Sequence, residues 1–152
     1  RVRMRGVELH RPCPAARDRL GQRKALVGVV HRRRQQFGER LADFQLVQQK
    51  LARMAMDLSA SRLLVYRAAW EKDGGAERVS VESAMAKAFA TEAAQRIVDD
   101  AIQLVGGRAC LASHPLDRLY RAVRPLRIYE GATDIQHIVI ARSLIKSRPA
   151  TR

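Results

Sequence analysis

One feature limits the fold more than any other. Phe44, Leu51, Leu58 and Val65 recur every seven residues, and Val47, Met54, Ser61 and Ala68 follow each of them by three. An a/d seam held over four heptads belongs to a long helix that buries one stripe against neighbouring helices. A helix from about Glu39 to Lys72 is therefore expected. Gly74 and Gly75 follow it and can take the positive φ that a helix end requires.

A second long helix is expected from about Val81 to Val105, with Ser80 as N-cap and Glu82 in the first turn. Ala86, Phe89, Ala93, Ile97, Ala101 and Leu104 form its apolar face, and the alanines permit close helix contact. Gly106 and Gly107 break it. A short irregular or helical piece, LDRLYRAVRP, comes next. The last helix is expected from about Ala132 to Lys146, burying Ile135, Ile138, Val139 and Ile145. No strand pattern or repeat stands out. The expected fold is all-α, an antiparallel helix bundle, and 152 residues suit one domain.

The formal charge of +14 first points to nucleic acid. Its distribution argues otherwise. Residues 1–34 hold ten Arg and one Lys against Glu8 and Asp18, a net of +9, which leaves +5 for residues 35–152. The basicity belongs to one end, not to a folded face, and no nucleic-acid partner is expected. Residues 1–31 are read as an irregular, arginine-rich segment broken by Pro12 and Pro14, and residues 149–152 as a tail. Without an initiator Met, residues 1–31 fit a truncated or out-of-frame start. No apolar run approaches the ~20 residues of a membrane span. Two cysteines, Cys13 and Cys110, imply a reducing, cytoplasmic compartment. His10, His31, His114 and His137 lack metal-ligand spacing, so no metal is expected.

Four stretches rise above scaffold. Arg34, eleven residues before Gln45, can hold a phosphate and a polar ring edge, although a charged helix start is the commoner role. Gln103, Leu104, Val105, Gly106 and Gly107 expose backbone to a ligand, or simply cap a helix. Glu130 beside Gly131 has room for a substrate and suits proton abstraction next to a carbonyl; its plainer reading is a solvated helix-start charge. Arg118, Arg121, Arg124 and Arg127 share a face if helical, more often a solvated one.

In order along the chain, RQQFG (34–38), DFQ (43–45), LARMA (51–55), QLVGG (103–107), YRAVR (120–124), IYEG (128–131), IQ (135–136) and ARSLIK (141–146) resemble the C-terminal domain of the acyl-CoA dehydrogenase family. The resemblance covers residues 32–148. It implies a four-helix bundle whose first helix is irregular or missing here. It also implies α,β-dehydrogenation of an acyl-CoA thioester, FAD as cofactor, an electron-transfer flavoprotein as acceptor, and a homodimer or homotetramer as the complete enzyme.

By motif, Glu130 resembles the α-proton base and Gly131 lies at the thioester. Arg34 and Gln45 resemble the pair that binds the neighbouring subunit's FAD. Gln103, Leu104, Val105, Gly106 and Gly107 follow that cofactor's adenosine half. Ala132, Thr133 and Asp134 fall where the family touches its own subunit's FAD. Ala132 stands where the family commonly has threonine, which removes one hydroxyl. The family's β-domain and N-terminal helical domain are not in this sequence, so the isolated chain is expected to be inactive. The competing expectation is a non-catalytic helical module for interaction or assembly.

Overall fold

The structure, a computed structural model, describes residues 34–146. The readings of residues 1–31, Cys13, His10, His31 and the tail lie outside the described residues. Four helices carry the described fold: α1 (Gln45–Asp73), α2 (Ser80–Val105), α3 (Pro115–Val123) and α4 (Thr133–Lys146). The all-α expectation holds.

A two-residue hairpin precedes α1, with β1 (Gln35–Gln36) antiparallel to β2 (Glu39–Arg40) and Gln35 opposite Arg40. No strand signal could show it, because two residues are too few for a period-2 pattern. Phe37 (φ 53°) and Gly38 (φ 80°) make the primed turn such a hairpin needs. Leu41–Asp43 then form a 3-10 turn, so α1 begins at Gln45 and not near Glu39.

The heptad seam packs mainly at its N-terminal end. Val47 and Met54 are buried with Leu41, Ala101, Leu104, Ala109 and Leu116, and Phe44 and Leu51 pack against them. Val65, at the other end, is 49% exposed. At the C-terminus of α1 the Gly74 N–H donates to Trp70 O (2.9 Å), while Gly75 at φ 90° reverses the chain. Gly75 takes the left-handed conformation; Gly74 stays at φ −72°.

α2 is the central helix. α1 lies along one side of it, and α3 and α4 pack against it elsewhere; α1 and α4 form no packed pair. Buried Ala84, Ala86, Ala88, Ala93 and Ala101 let the neighbours approach closely. Lys50–Asp100, Asp57–Arg96 and Arg67–Glu82 pair across α1 and α2 and fix their antiparallel register. Ser80 is the first helical residue and not the cap. Val79 holds the cap position without a side-chain bond, because the turn has already entered helical geometry at Ser80.

α3 starts with Pro115 in its first turn, and the Leu116 N–H donates to His114 Nδ1 (3.2 Å), an N-cap supplied by histidine. The arginines do not share one face. α3 ends at Val123, Arg121 pairs with Asp117, and Arg127 turns to Glu92. Cys110 is a free, exposed thiol.

The expected burial of α4 is overturned. Ile135, Ile138, Val139 and Ile145 are 51%, 43%, 36% and 72% exposed, and no α4 residue is fully buried. Among the long helices α4 packs on α2, and much of its apolar surface stays exposed. No helix among the described residues is long and apolar enough to cross a membrane.

Candidate active site

Two groups of side chains gather on α2, one at its C-terminal end and one along its middle. At the end, the Arg34 Nη1 donates to the carbonyls of Val105 (2.5 Å) and Leu104 (3.3 Å). These are orphan acceptors of the last turn, at the negative end of the helix dipole, and a guanidinium suits both conditions. Gly106 sits at φ 76°, with Arg34 Nη2 3.7 Å from where a Cβ would stand, and nothing would meet a Cβ on Gly107. Arg34, Leu104, Val105, Gly106 and Gly107 therefore form one cationic, side-chain-poor corner. Gln45 and Gln103 are exposed, and neither side chain hydrogen-bonds to it.

Along the middle of α2, two residues reach the loop that carries Glu130. The Lys87 Nζ donates to Gly131 O (2.6 Å). Glu92 Oε1 accepts from Arg127 Nε (2.7 Å) and Thr133 Oγ1 (2.9 Å). From the far side, Gln136 Nε2 donates to Glu130 O (3.3 Å) and Gly131 O (3.1 Å). Glu130 and Gly131 lie at φ 52° and 89°, two successive left-handed residues. A Cβ on Gly131 would stand 2.3 Å from Gln136 Nε2, so glycine answers both the backbone and the space. The Glu130 carboxylate is exposed and makes no hydrogen bond among the described residues.

Burial pushes the Glu92 carboxyl up. The hydrogen bonds from Arg127 and Thr133, with the charges of Arg127 and Arg96, outweigh that and hold it below its ordinary value. Beside Glu92, a cleft of about 310 Å³ opens between α2 and α4, lined by Met85, Ala88, Phe89, Arg96, His137 and Ile140. Among the described residues no cluster of three or more His, Cys, Asp or Glu could hold a metal.

The structure thus brings Glu130, Gly131 and Thr133 together, and separately Arg34 with Leu104–Gly107. Ala132 and Asp134 flank Thr133 at the start of α4, and Asp134 is exposed. Sequence reasoning missed Lys87, Glu92 and Gln136 and misplaced Arg127 on a solvated face. The one available signal was a lysine and a glutamate in the alanine-rich stretch of α2, AMAKAFATEAA.

The sequence signature of the acyl-CoA dehydrogenase C-terminal domain matches residues 1–145. The chain belongs to the acyl-CoA dehydrogenase family. It is 46% identical over 115 residues to the 3-(aryl)acrylate reductase of Clostridium sporogenes, covering 76% of this chain and 30% of that protein. It is 46% identical over 114 residues to the mitochondrial short-chain specific acyl-CoA dehydrogenase of Sus scrofa, covering 75% of this chain and 28% of that one. Among solved structures, the FAD complex of PigA superposes with a TM-score of 0.75 at 36% identity, covering 82% of this chain and 33% of that one. The chain spans under a third of the length of these relatives. The helical architecture of residues 34–146 is that of the family's C-terminal domain.

Proposed function

We propose that this chain is the C-terminal part of an FAD-dependent acyl-CoA dehydrogenase. Glu130 takes the α-proton of an acyl-CoA thioester. The observation that carries the reading is the backbone at Glu130. A non-glycine residue at φ 52° is strained, and such strain collects where a side chain must be aimed. The adjoining Gly131 leaves space for a thioester to lie against the carboxylate. When bound, FAD supplies the hydride acceptor for the β-hydrogen. Arg34 with the bare backbone of Gly106 and Gly107 fits an anionic or polar segment of that cofactor. Gln45 and Gln103 add amide groups at the exposed surface.

Thirteen residues of α2 separate Glu92 from Val105, roughly 20 Å of helix. The Arg34 corner therefore cannot serve the reacting atoms beside Glu130. It suits a remote part of the cofactor, or the cofactor of a neighbouring subunit in a homodimer or homotetramer. An electron-transfer flavoprotein is the acceptor this reading implies, and the cytoplasm its compartment. The likeness to a reductase adds a second direction at the same site, in which Glu130 returns the proton. The assembly-module reading draws on exposed Met56, Leu63 and Trp70, which recur every seven residues along α1.

In the complete enzyme, Glu130→Gln is expected to lower kcat by about 10²–10⁴-fold while FAD stays bound. Unchanged turnover would place the base elsewhere. The isolated chain is expected to leave added FAD unbleached by an acyl-CoA, because the walls that exclude water lie in other domains.

A further inference from the structure

The loop from Arg127 to Thr133 has little apolar burial to hold it. Ile128 and Tyr129 are 59% and 50% exposed, and Glu130 itself is exposed. Yet its backbone holds two successive left-handed residues, one of them not glycine. Something other than packing must fix that shape.

The contacts that reach it are polar, and two of their sources lie on α2. A single oxygen, Glu92 Oε1, receives Arg127 from three residues before Glu130 and Thr133 from three residues after it. That one atom closes the loop at both ends. Lys87 holds the carbonyl of Gly131, the residue directly after Glu130. Gln136 donates to the carbonyls of Glu130 and of Gly131. With both ends tied and the carbonyls held, the Glu130 backbone has little freedom to relax.

We propose that Glu92 and Lys87 are positioning residues that set the backbone of Glu130 from α2. The proposal rests on reading Glu130 as the base, and it adds that the aim of that base is set by two side chains that bond its loop and not its carboxylate. Both belong to the helix that also carries the α1 packing, so the site is referenced to the rigid part of the fold.

The test uses the whole 152-residue chain, its Glu92→Ala, Glu92→Gln and Lys87→Met variants, and amide hydrogen exchange. Arg127, Ile128, Tyr129 and Gln136 have bonded amides and report the loop; residues 51–58 of α1 report the rest. The Cα and Cβ chemical shifts of Glu130 report its left-handed backbone. Glu92→Ala and Lys87→Met are each expected to speed loop exchange at least tenfold, to move the Glu130 shifts, and to leave α1 unchanged. Glu92→Gln keeps an acceptor in place and is expected to exchange more slowly than Glu92→Ala.

Unchanged loop exchange overturns the proposal. So does an equal rise in α1, or identical behaviour of Glu92→Ala and Glu92→Gln. If far-UV circular dichroism shows that Glu92→Ala does not fold, Lys87→Met and Thr133→Ala carry the test by the same criteria. None of these readouts uses turnover. A complete enzyme in which Glu130→Gln stays active would remove the base assignment, while the exchange result would still report whether the loop is clamped.

Discussion

The two sides of α2 are built differently. Toward α1, the contact is a packed core in which Met54 is 2% exposed and Ala101 and Leu104 are buried. Toward α4, no residue of the partner helix is fully buried; Glu92 bonds Thr133 directly, and Lys87 and Gln136 both reach the carbonyl of Gly131 in the loop before α4. Apolar burial is strong and non-directional; hydrogen bonds contribute less but fix geometry. One side therefore supplies stability, and the other supplies aim.

Removing volume from the packed side tests this most severely. Met54→Ala is expected to cost about 2–5 kcal/mol of unfolding free energy, measured by urea titration, because it opens a cavity in the buried core that α1 shares with α2. A loss below about 1 kcal/mol would mean that the α1–α2 contact is not the main source of stability. On the other side, Gly131→Ala is expected to cost of order 1–3 kcal/mol, from a left-handed backbone that an L side chain resists and from displacement of Gln136. Its effect should appear in α4 exchange before α1 exchange. A uniform effect would blur the division between the two sides.

The packed side was also the legible one. The seam of α1 announces itself because a heptad is local in sequence, and the glycines at 75 and 106 mark helix ends because only they tolerate the φ required there. The site side is written in long-range contacts. Lys87 meets Gly131 across 44 residues and Glu92 meets Thr133 across 41, separations that no periodicity encodes. Glu130 and Gly131 stand out locally as a carboxylate beside a glycine, with a solvated helix-start charge as the plainer reading until the family motif is added, and nothing local marks φ 52° on a glutamate. The isoleucines of α4 have the spacing of an amphipathic helix. Spacing shows that a face is apolar, not how fully it is covered, and here Ile135 and Ile145 stay 51% and 72% exposed.

Acid should separate the two sides as well. The Glu92 carboxyl lies below its ordinary 4.5 in the folded chain. A depressed folded value means stability that is present above the unfolded value and lost as pH falls through the folded one. Lowering the pH below about 4.5 is therefore expected to loosen the α2–α4 join first, seen as smaller protection factors, relative to the intrinsic exchange rate at each pH, at Tyr129 and Gln136. In Glu92→Gln that pH dependence should flatten. If the variant and the parent lose protection in parallel, another carboxylate governs the acid response.

The smallest expected effect is the most discriminating control. Arg121 pairs with Asp117 one turn away on α3, as Arg127 pairs with Glu92, and the two bonds differ little in length, 3.1 Å against 2.7 Å. Their surroundings differ. The Arg121 side chain is 76% exposed and that of Arg127 only 31%. Solvent screening leaves an exposed pair about 0–0.5 kcal/mol, and alanine's helix propensity offsets part of that. Arg121→Ala is therefore expected to leave urea stability unchanged within error at any salt concentration. Arg127→Ala removes a donor from a half-buried carboxylate that also holds Thr133, and a measurable loss should follow. If both variants behave alike, the Glu92 contact is an ordinary surface pair, and the aim of Glu130 must come from Lys87 and Gln136 instead.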